Sequence, residues 1–343
     1  MRDIQLLEAS ESGELIVSMT NKLLLSCAAL ASSAALASPA SAGSKPHVLF
    51  LLADDLGHYN VGWHNRNTSE CATPTLNGLA QNGIVLERHY AYKFCSPSRS
   101  SMHSGRLPVH VNDQNKDPEV HNRLDPESGY QGIPVNMTGL AVQMRRGGYR
   151  THMTGKWDAG MARREHTPCG RGFETWLGYF HHANDYYKEG LPPAADGTLN
   201  VCFNRFTDLW DTDGPAARQH ASGLYEEDLF TNRTVAVIAA HDAANASAPL
   251  FLVHAFHLVH TPLQVPAAAL ARFPLIGNSQ RQHVAAMAAY LDDQVAIIVA
   301  ALKANANMWD DSAYAACLPA CLPACLPACL PACPAWAAAA AAG

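Results

Sequence analysis

From His47 onward, short apolar runs alternate with stretches of helical periodicity. His47 to Leu52 (HVLFLL) is apolar from its second residue on, the pattern of a strand buried on both faces. Thr73 to Asn82 reads as a short helix, opened by Thr73 with Pro74 at its first position and closed by Gly83. Ile84 to Ala91 reads as a second strand. Thr138 to Arg146 carries Leu140, Val142 and Met144 before Gly147-Gly148, so the pattern predicts a helix ending at the glycines and feeding a strand over Tyr149 to Met153. A long helix is expected over Glu226 to Ala244, a strand over Leu250 to Phe256, and an amphipathic helix over Arg281 to Lys303. In that last helix Val284, Met287, Leu291, Val295 and Ile298 recur near helical spacing. Strands alternating with helices predict an α/β fold with a largely parallel sheet flanked by helices.

The two ends follow other rules. Lys22 precedes an apolar run, Leu23 to Leu36, which ends in the small residues Ala40-Ser41-Ala42, so residues 1–42 read as a signal peptide cleaved after Ala42. Met19 is an alternative start, which makes residues 1–18, with Glu8, Glu11 and Glu14, an upstream extension. No later stretch offers about 20 uninterrupted apolar residues, so no stable membrane span is expected. Sequons at Asn67, Asn136, Asn232 and Asn245 agree with a secretory route, to export or to the lysosome. After Tyr314 the chain turns to four CLPA units from Cys317, then Cys333, Pro334, Trp336 and an alanine run. Proline at every fourth position forbids a regular helix and withholds backbone donors, so this tail is not expected to supply a further strand. A CxxxC metal site is conceivable there, but an identical tetrapeptide repeat looks more like repeated DNA read through. The expected organisation is a signal at 1–42, an α/β body at 43–314 and a low-complexity tail at 315–343.

A formal charge of −6 and a pI near 6.3 provide no broad basic field, which argues against nucleic acid as a partner. Any anionic substrate must be held by a local group of cations. Two segments offer such chemistry. Asp54-Asp55 stand at the end of the first predicted strand, where open α/β sheets place ligand sites, and paired carboxylates there suit a hard cation. Cys95-Ser96-Pro97-Ser98-Arg99 continues to Ser104-Gly105-Arg106, with Pro97 opening a helix whose free N–H groups favour a bound anion.

The complete CSPSR with the SGR that follows it resembles the sulfatase signature, in which the cysteine is oxidised to formylglycine. LLADDLG, GYRTHMTGKW, RGFETWLGY, the DYY of Asp185 to Tyr187 and HTPLQVP widen the resemblance to the arylsulfatase B type, in that family's order from about His47 to Trp309. The resemblance implies an alkaline-phosphatase-like fold, a Ca2+ ion and hydrolysis of sulfate monoesters of carbohydrates or aryl alcohols. It also implies a formylglycine-generating enzyme as a partner. By position it makes Cys95 the formylglycine precursor and Asp54, Asp55 and the modified Cys95 the metal ligands. Arg99 would steady the diol, Lys156 would contact sulfate, and His260 would bind sulfate and protonate the leaving group. With Cys95 reserved for chemistry, Cys169 and Cys202 can form a bridge, leaving Cys71 over.

The family's GKWHLG stands here as GKWDAG, so Asp158 replaces a histidine and is expected to add a negative charge beside an anionic substrate. The family's later Asp-Asn-Gly segment and a further lysine have no counterpart after Trp309, which leaves the site cut short. A catalytically inactive fragment or pseudoenzyme is therefore the rival reading. A phosphate-ester hydrolase on the same fold would expect Ser or Thr as nucleophile, which Cys95 argues against. Amino-terminal sequencing of protein from a secreting cell should find Gly43 as the first residue. Recovery of Met1 or Met19 would remove the signal assignment.

Overall fold

The computed structural model describes residues 45–65, 67, 69–115, 120–187, 208–216, 224–243, 245, 247–305, 308–310 and, by backbone alone, 312–317. The expected signal, Cys202 and the CLPA repeats beyond Cys317 lie outside these residues. Seven strands form one sheet: β1 (His47–Leu52), β2 (Arg150–Gly155), β3 (Thr175–Gly178), β4 (Trp210–Asp211), β5 (Gly214–Pro215), β6 (Leu250–Ala255) and β7 (Ser312–Cys317). Their spatial order is β5-β4-β3-β2-β6-β1-β7, and only the short β4 runs against the others, pairing antiparallel with both β3 and β5. The helices are α1 (Pro74–Gln81), α2 (Cys95–Ser104), α3 (Pro108–Val111), α4 (Leu140–Arg146), α5 (Glu226–Ala240), α6 (Ala267–Leu270) and α7 (Ser279–Ala304).

The side-chain period of two explains why β1 reads as a continuous apolar run. Leu49 and Leu51 join a core with Ile238 of α5 and Met287, Leu291, Val295 and Ile298 of α7. Phe50 and Leu52 face the other way, into a core with Met102 of α2, Met144 of α4 and Phe251 and Val253 of β6. Both faces are thus covered by helices. By length and apolar composition α7 could span a membrane, yet most of that stretch is buried against the sheet, as in a core helix. All four sequon asparagines are exposed.

Three expectations need correction. Ile84 to Ala91 is not a strand: β1 is already hydrogen-bonded on both sides, by β6 and β7, and Ile84 lies on the surface. α5 ends at Ala240, four residues before the expected Ala244. A strand does follow Trp309, because Ser312–Cys317 pairs in parallel with all of β1, running past the expected boundary at 314 before the first proline of the repeat can interrupt it.

The start of α1 shows a tertiary substitute for a local cap. Thr73 occupies the cap position, but its hydroxyl accepts from the Gly62 N–H and donates to Asn77 instead of serving the helix N–H groups. Those of Thr75 and Leu76 donate to the buried carboxylate of Asp292 in α7, at 3.0 and 2.7 Å. Asp292→Ala should therefore cost about 1–3 kcal/mol of stability, the scale for leaving buried donors unsatisfied. Urea unfolding measures it, and an unchanged midpoint would mean that water replaces the carboxylate.

Candidate active site

The carboxyl ends of β1, β2 and β6 carry the site. Asp54 follows β1, Lys156 follows β2, and His257 to His260 follow β6. The backbone ties two of these ends together: the Asp54 N–H donates to the Leu258 carbonyl at 2.7 Å, and the Val259 N–H to the Asp54 carbonyl at 2.6 Å. Helix α2 enters the same space with Cys95 as its first residue. Although rich in serine, α2 is buried from Ser96 through His103, and it stops at Gly105 in the left-handed conformation (φ 67°).

Asp54 is the hub. Its carboxylate lies 2.7 Å from Lys156 Nζ and 3.2 Å from Arg99 Nη2, and the Cys95 thiol donates to it at 3.8 Å. Arg99 also donates to the Lys156 carbonyl at 2.8 Å, so one side chain links the helix to the ends of two strands. Burial alone would raise the Asp54 pKa, but the Lys156 ammonium and Arg99 guanidinium outweigh it and hold the carboxyl well below the usual carboxylate range. Burial opposes the charge on Lys156, and Asp54 more than restores it, so its pKa is raised. Burial pushes the Cys95 thiol up to about 12, reinforced by Asp54 and Asp158 against Lys156 and Arg99. An unmodified Cys95 is therefore a neutral thiol at physiological pH rather than a thiolate nucleophile.

Asp54, Cys95, Arg99, Lys156 and His260 are thus brought together, while Asp55 stands apart. Asp55 takes a left-handed φ of 54° and turns an exposed carboxylate toward His260 Nε2, 3.6 Å away. Among the described residues, the nearest approach to a metal-ligand group here is Asp54, Cys95 and His260, with ligand atoms within 4.8 Å of one another. A cleft of about 350 Å³ opens over Asp54, Asp55, Cys95 and Arg99, with His58 and Phe94 at its walls. Lys156 is fully buried beneath it and held by Asp54.

The three histidines of the β6 segment divide by environment. His254 lies inside the strand, bonded to the hydroxyls of Thr154 and Thr234, and burial lowers its pKa to about 3. His257 is buried against Glu226 and stacked on Tyr186 with ring centroids 4.1 Å apart. Only His260 reaches toward the cleft carboxylates. Its Nδ1 faces the Thr261 carbonyl at 2.6 Å, so Nδ1 carries the hydrogen and Nε2 is free to exchange a proton.

Asp158, expected to add a negative charge beside an anionic substrate, has two neighbours that can offset it. It is buried with a left-handed φ of 48°, lies 2.9 Å from His182 Nδ1 and has Lys156 Nζ 3.8 Å away. Sequence reading also missed Glu226 and Glu227. Acidic residues in the first turn of a helix usually offset its dipole in solvent, and that local signal gave no other hint. Both are fully buried instead: Glu227 accepts the N–H groups of His257 and Leu258 at 2.7 and 2.9 Å, fixing the loop that carries His260.

A profile described as Sulfatase matches residues 46–312. The chain belongs to the sulfatase family. It is 35% identical over 260 residues to arylsulfatase J of Mus musculus, covering 76% of this chain and 40% of that protein. It is 26% identical to N-acetylgalactosamine-6-sulfatase of Homo sapiens, covering 75% of this chain and 47% of that protein. The chain therefore spans less than half the length of these relatives. Among solved structures, that of Ps i-CgsB in complex with k-i-k-neocarrahexaose superposes with a TM-score of 0.62 at 26% identity, covering 79% of this chain and 57% of that one. The sheet and its flanking helices are accordingly those of the alkaline-phosphatase-like sulfatase fold.

The buried ion cluster makes the site sensitive to one substitution. Asp54→Asn leaves Lys156 and Arg99 without their shared counter-charge and should cost about 3–5 kcal/mol. Because the folded pKa is depressed, the contribution of Asp54 is present above its unfolded value of 3.8 and falls away as pH drops below it. Denaturant unfolding between pH 2 and 7 should show the wild-type margin over the variant constant above about pH 5 and shrinking progressively below about pH 4. Parallel curves would remove Asp54 as the hub.

Proposed function

We propose that the site serves sulfate monoester hydrolysis through a formylglycine made from Cys95, with Ca2+ held by Asp54, Asp55 and the oxygen that replaces the Cys95 sulfur. The observation that carries this reading is Cys95 at the first position of a buried helix, 3.8 Å from Asp54 and beside Arg99. Its raised thiol pKa argues against an unmodified thiolate as the nucleophile. The donor set fits a hard cation once sulfur gives way to oxygen, since Asp54 and Asp55 already offer carboxylates at the mouth of the cleft. A bound calcium would supply positive charge for the sulfate and lower the pKa of the hydroxyls beside it.

Each residue then has a task. A formylglycine at position 95 would supply, as its hydrate, an oxygen nucleophile and a route for sulfate release, with Arg99 beside it to hold that group. The N-terminus of α2 and the Arg99 guanidinium favour an anion at Cys95. Asp54 fixes Arg99 and Lys156 where that anion arrives. His260, with Nδ1 bound to the Thr261 carbonyl, presents Nε2 to protonate the leaving oxygen. Sulfated carbohydrate is the favoured substrate class, in keeping with the N-acetylgalactosamine-6-sulfatase relative and the neocarrahexaose complex, with aryl sulfate as an assay substrate. Secretory-pathway residence, by export or in the lysosome, agrees with the exposed sequon asparagines.

A second reading, a family member that binds without turning over, is favoured by one observation. Around Cys95, the group of described residues that converges as ligands is Asp54, Cys95 and His260, far short of the six to eight oxygens that calcium takes. Peptide mass spectrometry on protein from cells that modify a control sulfatase should find formylglycine at Cys95. Recovery of thiol alone would overturn the formylglycine assignment. Calcium-dependent hydrolysis of an aryl sulfate, lost in Cys95→Ala, selects the first reading. A formylglycine-bearing chain without turnover selects the second.

A further inference from the structure

At the rim of the cleft a second group of ligands, distinct from the site above, comes together from two loops. His58, in a single 3-10 turn (His58–Asn60), and His64 stack their rings with centroids 3.6 Å apart and planes 19° from parallel. Glu87, from the segment that was expected to be a strand, brings Oε2 to 3.2 Å from His64 Nε2. One ligand atom from each of the three lies within 4.8 Å of the others.

The hydrogen-bond pattern fixes which nitrogen is available. His64 Nδ1 lies 3.1 Å from the His58 carbonyl, which can only accept, so Nδ1 carries the hydrogen and the Nε2 lone pair points at Glu87. A lone pair and a carboxylate at 3.2 Å repel each other unless a positive charge lies between them. That charge is either a proton or a metal ion. Two ligands bound tetrahedrally at the usual Zn–N and Zn–O lengths stand about 3.3 Å apart, close to the separation already present. A metal-bound imidazole also characteristically gives its other N–H to a carbonyl, as His64 does.

The backbone around the pair is held in place before any ion arrives. Val61 is buried, the His64 and Asn65 N–H groups donate to its carbonyl, and Arg281 of α7 donates to the Asn60 side chain at 2.8 Å. Only the outer groups, His58 and Glu87, are exposed and need to turn.

We propose that His58, His64 and Glu87 form a site for a borderline divalent transition metal such as Zn2+, with water completing the shell. Two imidazoles and one carboxylate suit such an ion and not Ca2+, which takes oxygen ligands. The site is independent of the formylglycine reading and stands whether or not the chain turns over sulfate esters. Because His58 also lines the cleft, a bound ion would add positive charge at its mouth.

The test is a Zn2+ titration by calorimetry of the full 343-residue chain in excess Ca2+, repeated on His64→Ala and Glu87→Gln. Cysteine sites are common to all three proteins, so the difference isolates this one. One equivalent should disappear in His64→Ala. In Glu87→Gln, an exposed change that leaves folding intact, its affinity should fall by about tenfold or more, at least the loss that changes to outer-shell partners produce. Anomalous scattering from a Zn2+-soaked crystal should place the ion between the three side chains. Equal stoichiometry and affinity in all three proteins, or density elsewhere only, would overturn the proposal and leave His64 and Glu87 as a proton-bridged pair.

Discussion

The carboxylate of Asp54 is placed between two buried cations, and the approach of α2 to the sheet depends on it. Lys156 comes from the end of β2 and Arg99 from the first turns of α2, so one anion draws a strand and a helix to the end of a second strand. Burying three charges is expensive, and their mutual attraction offsets that cost only with close geometry and every donor used. The arrangement meets the second condition in part through Arg99, whose other nitrogen serves the Lys156 carbonyl. The proposed anion site and a structural tie are here the same atoms.

The region around the cluster is held by groups that never reach the cleft. Glu227 fixes the backbone after β6, Glu226 holds His257, and the Tyr186 hydroxyl lies 2.9 Å from the carbonyls of His257 and His260. These contacts fix the backbone that carries His260. Asp158 plays a comparable part on the other side, between His182 and Lys156. Its negative charge is shared among neighbours, which softens the departure from the family's histidine at that position.

The edge of the sheet shows how local composition can mislead. Six residues pair in register with β1 before the first proline of the repeat, and a parallel edge strand needs little more than extended backbone with free donors and acceptors. Ser312 to Cys317 meets that need with mostly small side chains, which give little strand signal in the sequence.

The sequence by itself determined β1, β2, β6 and the long helix α7, because apolar runs and helical spacing must be buried whatever their partners. It also singled out CSPSR and Asp54-Asp55 as candidates, because their residue types are informative without coordinates. Only the tertiary structure decided that Ile84 to Ala91 stays out of the sheet, since that depends on which strands already flank β1. Only it decided the roles of Glu226, Glu227, His182 and Asp292 as well. Each carries a polar side chain that could equally well face water, and whether it does depends on donors brought near it by packing, up to 217 residues away along the chain for Asp292 and Thr75.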